Sequence, residues 1–293
     1  MPAIMSVAVP RKISSFVPWQ TILLLLLPCY VGMDIVSGQW VAFYTALHTM
    51  GGVLLFLIGA VYLRHLHESG ANHLLTVTKT KSEYIQQLPS RWVYVLAGAS
   101  VVLGLAWLFF AVNQLVALIA LTCFAFDVFY SMWWRNKYPI AILFSGISLI
   151  FFPILGAAAE TGYVDITVTL ISMMLIFWAP ITVLLLMIAR LYLYRDAQFP
   201  LCMKLGVLPI KRLIVVMVLF LSLFSLLPFV IDVAGVVYLV GMVMLDIVFI
   251  FSVILLLVRP GAEYAIPVYR VSWIYYFSFW ILVLFDHYLS FLT

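Results

Sequence analysis

The chain has 293 residues, of which 67% are hydrophobic and 9% charged, and its mean hydropathy is +1.21. Such a composition excludes a water-soluble globular protein, and nothing in it points to nucleic acid. Apolar runs follow one another from Val17 to Leu292, each able to cross a hydrocarbon core about 30 Å thick, so the chain reads as an all-α, polytopic membrane bundle.

Nine helical spans are expected at about 17–36, 40–63, 92–112, 115–134, 139–158, 166–189, 212–231, 235–258 and 271–292. No soluble domain, linker, low-complexity tract or internal repeat interrupts them, and residues 1–293 read as a single transmembrane domain. The first run lacks a basic segment followed by a small-residue cleavage site, so no cleaved signal peptide is expected. Cys29, Cys123 and Cys202 are widely spaced in or beside apolar segments and read as packing residues rather than disulfide or thiolate metal ligands.

Connections alternate between long and short. One side carries the N-terminus and the segments 64–91, 135–138, 190–211 and 259–270, with 64–91 and 190–211 as its long loops. The other carries Ser37 to Gln39, Asn113-Gln114, Ala159 to Asp165, Asp232 to Ala234 and the C-terminus. All fifteen basic residues, from Arg11 to Arg270, fall on the long-loop side, where the carboxylates are Glu68, Glu83, Asp196 and Glu263. The positive-inside rule puts that side and the N-terminus in the cytoplasm and the C-terminus opposite. Topology alone can account for the bias, and attraction of anionic lipid or a phosphate-bearing ligand is the sharper alternative. Function is expected on this side, where the loops are.

Ionisable groups near the centre of a span cost about 2.5–3.5 kcal/mol on insertion scales, so each is a functional candidate. Asp34, Asp286 and His287 sit near the far ends of their spans and are expected to reach water. Asp127 and Asp246 lie deeper, and His48 lies in the outer half of the second span. Asp127 shares a helical face with Tyr130, Ser131 and Trp134 at spacings of three, four and seven. That stripe either lines a cavity opening to the cytoplasm or, like Asp246, merely accepts hydrogen bonds from a neighbouring helix.

Arg64-His65-Leu66-His67-Glu68 continues out of the second span, followed by Asn72. If the helix extends, His65, Glu68 and Asn72 share a face, able to hold a divalent metal or simply a solvated helix end. Thr78-Lys79-Thr80-Lys81 reads either as a phosphate cradle or as a basic loop. In the sixth span, Trp178-Ala179-Pro180 is expected to bend the helix near mid-membrane, with Trp178 a candidate cavity-lining residue. The stretch from Arg190 through Arg195 to Asp196 suits a headgroup interface.

These residues resemble the UbiA superfamily of intramembrane prenyltransferases, and within it the protohaem IX farnesyltransferase (haem O synthase) family. Tyr130-Ser-Met-Trp133-Trp-Arg135, Ile142, Gly146, Phe151, Pro153 and Gly156-Ala-Ala-Ala-Glu-Thr161-Gly162 track that family's Y-T-x-W-L-K-R-x-T, N-I-V-I-G-G and P-P-L-x-G-W-A-A-V-T-G patterns without gaps. Trp178-Ala-Pro180 stands where the family has W-T-P-P-H. Arg190, Tyr194, Ala197, Pro200 and Gly206 match the following loop pattern, and Gly51-Gly52, Thr78 and Lys81 fit the earlier ones. The resemblance implies a nine-helix bundle with long cytoplasmic loops after the second and sixth spans. It also implies a site where carboxylates hold magnesium and a prenyl diphosphate.

The departures fall on that site. The family's N-x-x-x-D-x-x-x-D aligns with Arg64, Glu68 and Asn72, its His after W-T-P-P with Thr182, and its second-loop Asp with Leu193, leaving Asp196 as the nearest carboxylate. Magnesium wants hard oxygen ligands in near-octahedral geometry. A scaffold with lost metal-dependent transfer is therefore expected, a pseudoenzyme that binds an isoprenoid, quinone, haem or pigment or serves as an accessory subunit of a membrane complex. Arg64, Lys79, Lys81, Arg190 and Arg195 are its candidate phosphate-binding residues. The alternative is an active, divergent transferase with magnesium as cofactor. Its metal and diphosphate would sit on His65, Glu68, Asn72 and Asp196. A porter or a haem carrier using His48 or His287 is a third reading.

Overall fold

Backbone amides find no water in a hydrocarbon phase, so each apolar run satisfies its own hydrogen bonds as a helix. The structure is a computed structural model describing residues 19–38, 41–71, 90–134, 138–189, 206–259, 261 and 264–290, among which no strand occurs. The helices are α1 (Trp19–Ser37), α2 (Phe43–Ala71), α3 (Ser90–Ala111), α4 (Gln114–Phe129), α5 (Ile147–Thr161), α6 (Ile166–Ser172), α7 (Met174–Ala189), α8 (Val207–Ser225), α9 (Leu227–Val230), α10 (Val236–Val258) and α11 (Ala265–Ser290). Among the described residues, seven segments are long and apolar enough to cross a membrane, and Leu24–Ser37 and Gln114–Phe129 are shorter apolar helices. Large apolar side chains such as Phe43, Phe110 and Val258 face outward, as an apolar solvent permits.

Several helix ends lie elsewhere than hydropathy places them. α2 continues to Ala71, past the expected end at 63, while α8 begins at Val207 rather than 212 and α11 at Ala265 rather than 271. Hydropathy reports where the chain leaves hydrocarbon. Arg, Glu and Lys are good helix formers, so helices run on beyond that point.

Two irregular turns replace expected ones. A π-helical turn, Tyr130–Trp134, follows α4, and a 3₁₀ segment, Pro139–Phe144, precedes α5. In the sixth span the helix runs through Pro180 and is interrupted instead at Met173, between α6 and α7. There the amide of Met173 bonds the Leu170 carbonyl and that of Ile176 bonds Met173, the i→i−3 pattern of a tightened turn. The interruption thus lies about two turns before Pro180, where a bend was expected.

α1 packs chiefly on α5, α2 on α3, and α10 on α11, while α7 contacts both α8 and α11. The α1–α5 crossing depends on two glycines. A Cβ on Gly156 would collide with the Cys29 carbonyl, and one on Gly32 with the Pro153 carbonyl, so each helix presses bare backbone onto the other. Cys29 and Cys123 are buried in this packing, Cys29 wholly.

Gly156→Ala is expected to destabilise the protein by about 1–3 kcal/mol through overpacking. Gly98→Ala, where nothing lies within 4 Å of an added Cβ, is expected to be neutral or to gain up to about 1 kcal/mol of helix propensity. Thermal unfolding of both variants in detergent measures the difference.

Candidate functional site

The expected candidates sort into two places and a remainder. At the long-loop end, α2 and α4 come together: Arg64 Nη1 lies 3.4 Å from Asp127 Oδ1, in contact as an ion pair and as a hydrogen bond donated by the guanidinium. Their side chains are 45% and 22% exposed. The continuation of α2 to Ala71 keeps positions 64, 65 and 68 on one helix, with 64 and 68 a turn apart. The side chains of His65 and Glu68 lie outside the described residues, as do Asn72, Lys79, Lys81, Arg190, Arg195 and Asp196 altogether.

The face expected from Asp127 runs into a change of helical pitch. Ser131 Oγ donates to the Asp127 carbonyl at 2.7 Å, and the π turn that begins at Tyr130 winds wider than an α-helix. The spacings of three and four are kept, and the spacing of seven that reaches Trp134 crosses the π turn. Tyr130 and Ser131 are buried; Tyr130 stacks on Phe126 with centroids 6.4 Å apart, and Trp134 stacks on Phe144 at 4.6 Å. Trp178, on α7, faces α11 and not this cluster. Its indole N–H donates to the Ser272 carbonyl at 2.8 Å, and its ring lies 4.2 Å from Tyr276.

The deeper acids are occupied by helix-to-helix bonds. Asp246 of α10 accepts from Tyr275 Oη of α11 at 2.8 Å and from Ser225 Oγ of α8 at 3.0 Å, while Tyr238 Oη donates to the Ser225 carbonyl. This is the hydrogen-bonding alternative rather than the cavity one. Lys211, a basic residue assigned to the charged face, is buried, and its ammonium donates to the Arg259 carbonyl at 2.6 Å at the end of α10.

At the short-loop end, the expectation that Asp34 and Asp286 reach water is wrong, because both are buried. Asp286 accepts the amides of Gly235 and Tyr238, capping the start of α10, where an anion is favoured by the helix dipole. Asp34 accepts from Tyr288 Oη at 2.6 Å, with Tyr30 Oη 3.3 Å from Tyr288 Oη and His287 Nε2 3.8 Å from the other carboxylate oxygen. Sequence reading missed this group since its members stand more than 250 positions apart, and no local pattern announces them. His48 sits beside Tyr44 and Trp107 rings at 4.1 and 5.6 Å.

A magnesium site of the kind the resemblance implies needs one or two free carboxylates beside the substrate phosphates. The described donors at the long-loop end do not fit it. Position 64 carries a cation, and the nearby carboxylate, Asp127, is already in contact with that cation. Among the described residues, no three His, Cys, Asp or Glu side chains converge as metal ligands would.

No family model matches the chain. It is 28% identical over 274 residues to a protohaem IX farnesyltransferase of Legionella pneumophila (strain Paris), covering 92% of each. It is 29% identical over 273 residues to that of Thioalkalivibrio sulfidiphilus, covering 92% of this chain and 90% of the relative. Among solved structures it is similar to a digeranylgeranylglyceryl phosphate synthase, with TM-score 0.70 and 17% identity over 90% of this chain and 98% of that one. It is also similar to an apo UbiA homologue from Aeropyrum pernix K1, with TM-score 0.67 and 13% identity over 89% and 98%. A UbiA homologue from Archaeoglobus fulgidus bound to GPP and Mg2+ superposes with TM-score 0.55 and 14% identity over 90% and 95%.

Replacing Tyr275 by Phe removes a donor from a buried carboxylate and is expected to lower stability by about 1–3 kcal/mol. Asp246→Asn, which removes the charge, is expected to cost less. Thermal unfolding in detergent compares the two. With its apolar helices, its fold and its similarity over nearly the whole length, the chain is an integral multi-pass membrane protein of UbiA-like fold that resembles the protohaem IX farnesyltransferases.

Proposed function

We propose that this protein keeps the isoprenoid-holding bundle of the prenyltransferases it resembles but has lost metal-dependent prenyl transfer. It would bind an isoprenoid, quinone, haem, pigment or similar hydrophobic ligand, alone or as an accessory subunit of a membrane complex. The observation that supports this most is the Arg64–Asp127 pair. Ionising an allylic diphosphate requires the developing negative charge to be neutralised, commonly by metal with cationic clamps. A guanidinium where the resemblance implies a metal ligand opposes a divalent ion by Coulomb repulsion, and Glu68 is the one position of the aligned motif that keeps a carboxylate.

A second reading is favoured by a different observation. α2 stays helical to Ala71, holding position 68 in the register of the aligned motif, and the likeness to protohaem IX farnesyltransferases spans 92% of the chain. An active divergent transferase would then use Glu68, Asp196 and His65 for magnesium and Arg64, Lys81 and Arg190 for diphosphate. In either case the positive-inside rule puts the N-terminus and long loops in the cytoplasm.

Purified protein given farnesyl diphosphate, protohaem IX and magnesium is expected to form no farnesylated product, while mass spectrometry of the same preparation finds a co-purified hydrophobic ligand. Turnover that Glu68→Ala abolishes in a folded protein would overturn the first reading in favour of the second.

A further inference from the structure

We infer that His48, framed by Tyr44 and Trp107, forms a binding site on the lipid-facing flank of α2 and α3 that takes a quinone ring from the bilayer. The site lies near the short-loop end, away from the long loops, and is independent of whether prenyl transfer is retained. His48 stands five residues past Phe43, the start of its span, about 8 Å along the helix. It is only partly buried. Among the described residues neither imidazole nitrogen has a hydrogen-bond partner, and Nδ1 is enclosed, which leaves Nε2 as the nitrogen open to the bilayer. A polar group within a span normally pairs inside the bundle or marks a site. This side chain contributes no hydrogen bond to the fold.

The Tyr44 and Trp107 rings lie 4.1 and 5.6 Å from the imidazole, and Trp107 is itself held by donating its indole N–H to the His48 carbonyl at 3.2 Å. Gly52 makes room for that contact, since a Cβ there would come within 2.9 Å of the Trp107 ring. One turn along from His48, Gly51 is exposed, and nothing lies within 4 Å of where its Cβ would stand. Positions 44, 48 and 51 share a helical face, so a gap without a side chain opens beside the imidazole. Tyr44 and Trp107, 65% and 47% exposed, offer aromatic surface to whatever enters it.

The chemistry of the occupant follows from that of the group. A neutral imidazole carries one donor and one acceptor. A proton on Nδ1 would be enclosed with nothing to receive it, so the proton is carried on Nε2 and the site presents an outward donor. Its complement is an acceptor oxygen at the same depth. Three rings around a glycine gap favour a planar partner, which can stack on them, over a flexible acyl chain. A planar ring that dissolves in lipid and carries carbonyl acceptors is a quinone.

The test is titration of the full-length protein in phosphatidylcholine nanodiscs with decylubiquinone, followed by quenching of tryptophan fluorescence, with decylbenzene as a tail-matched ring that has no carbonyl. A saturable phase is expected with decylubiquinone and not with decylbenzene, and Trp107→Phe should remove most of its amplitude, because that indole lies at the site. His48→Leu is expected to weaken the saturable phase by about five- to tenfold, as loss of one hydrogen bond does. His48→Gln, which keeps an N–H donor, should weaken it less. Gly51→Leu, which fills the gap, should abolish the phase, whereas Gly98→Leu, at an equally open glycine on α3, should leave the affinity unchanged. No saturable phase, equal binding of decylbenzene, or unchanged affinity in His48→Leu or Gly51→Leu protein of normal elution overturns the inference. Phospholipid that still cross-links to a photoreactive residue at the exposed position of Leu47 with quinone in excess would do the same, and would give the donor to a lipid ester carbonyl.

Discussion

The C-terminal helix α11 is held on three sides by hydrogen bonds that a bilayer cannot replace. Tyr275 bonds Asp246 on α10, Tyr276 bonds the Leu24 carbonyl on α1, and the Ser272 carbonyl receives Trp178 from α7. Between apolar helices in lipid there is no hydrophobic driving force, so association rests on close packing and on polar groups with nowhere else to bond. α11 meets both demands, with Tyr275, Tyr276, Phe279 and Trp280 almost wholly buried. Further along, Tyr288 reaches Asp34, and Asp286 caps α10, so the first, tenth and last helices are tied again at the short-loop end. The Gly32 and Gly156 crossing then fixes α5 against α1, carrying the frame across to the remaining helices.

Against this dry and mutually bonded half, the Arg64–Asp127 pair stands apart in character. It joins α2 to α4 through partly exposed groups at the end that carries the long loops. The buried acids serve architecture, and each has a hydroxyl or amide donor in place. The exposed pair is a surface ion pair, which adds little to stability. That contrast is consistent with the proposal that binding lies at the long-loop end. The scaffold depends on contacts in the other half of the bundle.

Much of this was legible from the chain. Apolar runs cannot be accommodated other than as spans, and the gapless match from Tyr130 to Gly162 implied the UbiA-like arrangement before any coordinates. What stayed hidden was set by tertiary contact. The π turn at Tyr130–Trp134 shifts helical phase, so a position counted at 3.6 residues per turn, such as Trp134, moves there. The break at Met173 rather than Pro180 places tightened turns where spacing alone gives no cue. Asp34 looked water-facing because it lies near a helix end, yet its partner Tyr288 is contributed from the far end of the chain. Arg64 and Asp127 were each singled out, one for phosphate and one for a cavity, and only the fold joins them.

Electron paramagnetic resonance of manganese, a spectroscopic substitute for magnesium, tests most directly whether charge at the long-loop end is supplied by arginine rather than by metal. Protein titrated with Mn2+ in the presence of farnesyl diphosphate should leave the free-ion signal equal to that of ligand and ion alone. Loss of that signal in proportion to protein, reversed by Glu68→Ala, would show a metal site of the kind bound by the prenyltransferases and would contradict the arginine-based reading.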